Sequence, residues 1–291
     1  MTDPINFNIE ELVARYDLHP DRRDVFVEGE QDQGLVRAFL ENAQCPHVAV
    51  LSISVVNIPA GTVLARGLPH PNRRSEVITL ALELEAEKVS PSQAVCIADA
   101  DFEYLFPQGL SCALLLLTDY AAMELYVFSQ DVVHTVLIIV APKTRSSGGD
   151  VISDLSGPLQ FLFSARATNV NLQMGLAWIE AIDKFFSVHN GRIQFDESEF
   201  LRRYLVDRVH KSLTDDFLSK LGEIRAQLTS DVRCRIHGHD FIKLLTWYLR
   251  SVEKCKHLNE NSVCEMLYVA VRNDELAAQP MFSSLLKRVS T

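Results

Sequence analysis

DVFVEGEQDQGLVRAFLEN, residues 24–42, is the stretch on which the reading of the fold turns. Residues 24–28 form a short β-rich run that ends on Glu28, and Leu35, Phe39 and Leu40 then recur at helical spacing. Between the two, Gly29 is expected to let the chain turn sharply, with Asp32 near the start of the helix. HVAVLSISVVNI (47–58) follows with the Val/Ile density of a buried strand and stops at Pro59 and Gly61. The result is a strand, helix, strand unit.

RRSEVITLALELEAEK (73–88) places Val77, Leu80, Ala81 and Leu84 on one face, as an amphipathic crossover helix does. Two more apolar strands are expected at 94–98 and 113–117, each running into acids. Unbroken apolar strands alternating with helices predict an α/β fold with a mainly parallel, three-layer sheet. Residues 132–141 read as a further strand at its edge. After the polar, glycine-rich segment 143–150, helical patterns cover 152–188, 197–228, 241–254 and 262–271, so the second half is expected to be mostly helical. The expected domains are 20–145 and 150–291. Trp178 and Trp247 fall in helical apolar stripes and read as core.

At 291 residues and 47% hydrophobic, the chain can bury a substantial core. Its apolar runs, as at 113–117 and 132–142, fall well short of the roughly 20 residues of a membrane-spanning helix. The first fifteen residues lack the basic-then-apolar pattern of a signal peptide, and the expectation is a cytoplasmic protein without membrane contact. Six cysteines without a CxxC pair read as reduced core residues. A zinc set of Cys234, His237, His239, Cys255, His257 and Cys264 would match no finger spacing. The net charge of −10 is uneven: residues 1–191 hold 12 basic against 24 acidic side chains, whereas 192–291 hold 16 against 14. A broad basic nucleic-acid face is therefore excluded.

Acids stand where an open parallel sheet collects its ligands, at the carboxyl ends of strands. Glu28 follows the first strand, and CIADADF (96–102) sets Asp99 and Asp101 two apart at the end of another. On an extended strand such a pair faces one way and can share a cation. This ordered set, Glu-Gly and later Asp-x-Asp, resembles the TOPRIM domain of topoisomerases, primases and OLD-type nucleases. The resemblance implies Mg²⁺ or Mn²⁺ held by Glu28, Asp99 and Asp101 as the catalytic carboxylates, the glutamate also serving as general acid or base, with Asp32 as an accessory acid.

A narrower likeness adds to this. VEGE-x-D, DADF, TDYAAME (118–124) and GHDF (238–241) together are similar to a bacterial TOPRIM-like family that includes the AriB-type effectors of PARIS anti-phage systems. That likeness implies metal-dependent cleavage of RNA, with tRNA as target, by a toxin effector that a partner ATPase controls and that is a homodimer when active. It assigns Glu124 to the metal site, although Leu125 stands where the family commonly has Asn. If Asp119 caps the following helix, Glu124 begins roughly 7 Å along its axis and must lean back to reach the site.

Lys143 and Arg145 either meet a phosphate or belong to a solvated loop. In HGHDF, His239 is an acid or phosphate contact, or else His237 and Gly238 form a turn and Asp240 caps a helix starting at Phe241. No GxxxxGK[ST] loop occurs, so ATPase activity would lie in another chain. The alternatives are a non-catalytic TOPRIM-like module that dimerises or docks on an ATPase, and a DNA endonuclease of OLD type. A primase or topoisomerase fragment lacks support, as there is no CxxC ribbon.

Overall fold

The computed structural model describes residues 6–68, 71–189, 192–205, 211–227 and 231–290. In chain order these form α1 (Ile9–Leu18), β1 (Asp24–Val27), α2 (Glu30–Asn42), β2 (Ala49–Ser52), α3 (Ala60–Ala65), α4 (Arg73–Ala86), β3 (Ala94–Ala98) and β4 (Leu115–Leu117). There follow α5 (Gln130–Val140), α6 (Gly148–Asn171), β5 (Phe186–His189), β6 (Arg192–Phe195), α7 (Glu197–Leu205), α8 (Lys211–Ala226), α9 (Gly238–Ser251), α10 (Glu260–Ala270), α11 (Asn273–Ala277) and α12 (Pro280–Val289). Contacts divide the chain into two compact units, one of residues 1–100, 108–119 and 271–291, the other of 101–107 and 120–270. This division differs from the one expected from composition, because 120–145 cluster with the helical unit and 271–291 with the sheet.

The first unit holds a four-stranded, all-parallel sheet in the order β2-β1-β3-β4, with Phe26 paired to Leu51 on one side and Cys96 on the other. Parallel neighbours need crossovers, and α2 supplies the first. Every residue of β1 and β3 is buried, yet their side chains still alternate between faces. Phe26, Ala94, Cys96 and Ala98 share one cluster with Leu12 and Tyr16 of α1 and Val77, Ile78, Leu80, Ala81 and Leu84 of α4. Leu35, Val36, Phe39 and Leu40 of α2 are buried outside that cluster, and Phe39 meets Phe282 of α12 with ring centroids 4.6 Å apart. At the start of β1 the buried Asp24 accepts from Tyr16 Oη at 3.1 Å and Arg22 Nε at 2.6 Å. Burial and this neighbouring carboxylate raise the Tyr16 pKa.

In the second unit α6 is the axis, packing against α5, α8 and α9. Gly148 permits the first of these contacts: a Cβ there would lie 2.0 Å from the Gln130 carbonyl oxygen. Phe161, Phe195, Phe200 and Tyr204 build an aromatic cluster that Trp178 joins, 5.5 Å from Phe200. Arg166 of α6 lies 3.7 Å over the Trp178 ring and forms a two-point ion pair with the buried Asp240, at 2.8 and 3.0 Å.

Several expected elements change. Residues 132–141 are not an edge strand but most of α5, whose Ser129 cap accepts from Val132 N at 3.2 Å. Val132, Val133, Val136 and Leu137 are buried there. A mostly apolar stretch of ten residues fits strand and helix alike, and the cap and packing decided it. The helix expected over 152–188 ends at Asn171; the Asn169 side chain bonds the Leu176 backbone at 2.8 and 3.0 Å, and 186–189 pair as β5. Trp178 thus packs from a loop rather than a helix. The pattern over 197–228 falls partly outside the described residues and otherwise forms α7 and α8. The strand expected over 47–58 is only 49–52, and that over 113–117 only 115–117. No helix among the described residues is long and apolar enough to cross a membrane.

Candidate active site

Strand order places the crevice before any side chain is considered. From β1 the chain moves outward to β2, then returns past β1 to β3, so the connections from β1 and β3 diverge at their carboxyl ends. Open α/β sheets bind ligands at such a switch point. Glu28 follows β1 and Asp99 follows β3, and the two meet there: the Asp99 N–H donates to Glu28 Oε1 at 2.8 Å. Arg74, in the first turn of α4, donates from Nε to the Asp99 carbonyl at 2.7 Å. Glu28 and Asp99 are both half-buried, a setting that keeps carboxylates accessible while limiting water.

Around this pair the accessory acids of the same unit are already engaged. Asp32 closes the start of α2 by accepting from Gly29 N at 3.1 Å. Gly29 itself has φ −133°, an extended value open to any residue, so the turn after Glu28 does not depend on glycine. Asp119 accepts from Met281 N at 3.0 and 3.2 Å, and therefore caps α12, far away in sequence, rather than the segment that follows it. The next segment is a 3-10 turn over Met123–Val127 that starts from Ala122.

The extended strand expected to carry Asp99 and Asp101 does not continue through them. β3 stops at Ala98, and Asp101 has φ +49°, a left-handed conformation that Asp tolerates better than most side chains. Its N–H donates to the Ala121 carbonyl at 2.8 Å, within the second unit. Backbone strain of this kind concentrates at functional positions.

In the second unit Glu124 is 5% exposed and faces the first turn of α9. A Cβ at Gly238 would lie 2.1 Å from its Oε2 and 2.7 Å from its Cδ. His239 brings Nε2 to 3.9 Å from Glu124 Oε1, with an imidazole 78% exposed. His237 precedes them with a buried Nδ1 that has no hydrogen-bond partner among the described residues, and burial pushes its pKa down to about 4. α9 begins at Gly238, so Asp240 does not cap a helix starting at Phe241; it is spent on Arg166. Lys143 is exposed.

The sequence reading missed Arg74, although a signal existed. Two arginines open α4, where the positive end of the helix dipole disfavours cations. It also missed the Gly238–Glu124 approach, which joins positions over a hundred residues apart.

Among the described residues no three His, Cys, Asp or Glu side chains group so as to cage a metal ion, and this includes the cysteine-histidine set. All six thiols are free, five of them buried. Mg²⁺ asks less of a protein, taking one or two carboxylates and completing its shell with water and phosphate oxygens. Glu28 and Asp99 supply hard oxygen donors of that kind. No protein-family model matches the chain, and the comparison with curated proteins gives no match.

Proposed function

We propose that the chain is a metal-dependent nuclease of the TOPRIM kind, with Glu28 and Asp99 as its central carboxylates. The supporting observation is that the Glu28 carboxylate accepts from the Asp99 amide at the switch point of an all-parallel sheet, which sets both acids at one crevice. Bound there, Mg²⁺ or Mn²⁺ would supply Lewis-acid stabilisation to a scissile phosphate. Glu28 and Asp99 would hold it, and the family likeness adds Asp101 and Glu124 to the acids under test. The hydrogen bond from the Asp99 amide orients Glu28, and Arg74 fixes the Asp99 backbone from the other side. RNA, tRNA in particular, as substrate, control by a partner ATPase, a homodimeric active form and a role in anti-phage defence all rest on the same likeness.

One observation favours a second reading, a non-catalytic interaction module. Glu28 accepts a backbone hydrogen bond, so it can serve as a staple between strand ends and nothing more. Glu28→Gln separates the two, because the amide oxygen still accepts from Asp99 N while the charge is lost. Cleavage of RNA and DNA should be followed with Mg²⁺ and with EDTA for the unaltered chain, Glu28→Gln and Asp99→Asn. The nuclease reading expects EDTA-sensitive cleavage that falls at least a hundredfold in Glu28→Gln with its melting temperature retained, since a charged group acting on the reacting phosphate is worth several kcal/mol. Undiminished cleavage by both variants would sink it, and absence of cleavage by the unaltered chain leaves the module reading in its place.

A further inference from the structure

Lys243, Trp247 and Arg250 stand at i, i+4 and i+7 on α9 and so share one helical face. With Lys256, from the loop after the helix, they line a groove of roughly 450 Å³ within the second unit. Trp247 is half-buried: one side of it meets Phe186, with ring centroids 5.6 Å apart, and the groove takes the rest. Cavities of this volume lie in the range that holds small ligands, one nucleotide among them.

Two cations of this groove differ from six arginines of the same unit. Arg166, Arg192, Arg202, Arg203, Arg225 and Arg233 are each paired with a carboxylate. Arg250 and Lys256 are exposed and form no ion pair with the described residues. Lys243 donates to the Glu180 carbonyl at 2.6 Å and its carboxylate at 3.3 Å, but that side chain is 86% exposed and free to swing away. A favourable interaction with the negative end of α9 accounts for Lys254, which donates to the Ser251 carbonyl at 2.6 Å. It also favours Arg250 in the last turn of α9, but it does not account for a half-buried indole lining the same groove as Arg250 and Lys256. In a chain of net charge −10, unpaired cations beside an open aromatic ring are the combination that single-stranded nucleic acids use, the base stacking on the ring and the phosphates tracking the charges.

We propose that this groove binds a nucleotide of a single-stranded nucleic acid, its base on Trp247 and its flanking phosphates on Arg250, Lys256 and Lys243. Asp183 and Glu260 on the rim would accept hydrogen bonds from base amino groups. No residue of the Glu28–Asp99 crevice takes part, so the groove is tested apart from cleavage by working in EDTA.

The experiment is fluorescence anisotropy of labelled oligo(U) and oligo(dT) with the full chain in EDTA across a KCl series. Binding of either strand supports the proposal. Trp247→Ala should weaken it roughly ten- to a hundredfold, and Trp247→Phe, which keeps a stacking face, by about threefold at most. Arg250→Ala with Lys256→Ala, both exposed positions, should lower the slope of log K against log salt by about 1.4, the value for two phosphate contacts on a single strand. The proposal is overturned if the unaltered chain binds neither strand, or if the paired variant keeps both its affinity and its salt slope. It is equally overturned if free uridine monophosphate competes as well as the strand per nucleotide, which makes the groove a site for small nucleotides.

Discussion

Gly238→Ala tests a close approach in the helical unit, that of α9 to a buried carboxylate. An added Cβ would lie 2.1 Å from Glu124 Oε2, 2.7 Å from its Cδ and 2.9 Å from the Ala122 Cβ. The carboxylate ends a flexible side chain, but Glu124 is 5% exposed, so it can move aside only by leaving its pocket. Overpacking of this kind costs about 1–3 kcal/mol. Against it, replacing a helical glycine by alanine gains at most about 1 kcal/mol. The expected net loss is about 1 kcal/mol, or roughly 3 °C in melting temperature for a chain of this size. Combining Gly238→Ala with Glu124→Ala removes the collision with the carboxylate and leaves only the Ala122 contact. A double-mutant cycle read by differential scanning fluorimetry and urea unfolding should then give a coupling of about 2 kcal/mol. If Gly238→Ala has the same effect in both backgrounds to within about 0.5 kcal/mol, the packing of Glu124 against α9 is not what requires glycine, and the reasoning fails.

Two further outcomes follow from single residues. His237 has a folded-state pKa pushed down to about 4, so between that value and the ordinary histidine value near 6.5 the unfolded chain binds the proton and the folded chain does not. Stability is therefore expected to fall as pH drops through this window, by at most roughly 3 kcal/mol, and to be fully present above it; a His237→Asn variant with an unchanged pH slope of melting would count against this. Asp119→Ala removes the cap from α12 and should cost about 1 kcal/mol, with faster amide exchange at Met281 and little change at β4. Equal exchange at Met281 in both proteins would show that the cap contributes nothing.

How much of this was legible in the chain can be argued position by position. The all-parallel sheet was, because strands buried on both faces must be apolar nearly throughout, and 25–27 and 94–98 satisfy that requirement, Asp24 at the strand's start needing Tyr16 and Arg22 as partners. So was the placement of Glu28 and Asp99 at strand ends, since the first polar residue after such a run marks where burial stops. Residues 132–141 were not legible, because an apolar run that short fits strand and helix alike until Ser129 caps it and α6 packs against it. Asp119 and Asp240 look like local caps in sequence, yet tertiary contacts give one to α12 and the other to Arg166. Asp99 and Asp101 look like a co-facing pair only while the strand is assumed to continue, and a left-handed residue at 101 ends that assumption. The sequence by itself determined which residues avoid water and in what order strands and helices alternate, because both follow from local chemistry and period. Only the tertiary structure decided what each carboxylate touches, since hydrogen bonds such as that from the Asp99 amide to Glu28 join positions whose distance along the chain carries no information about their distance in space.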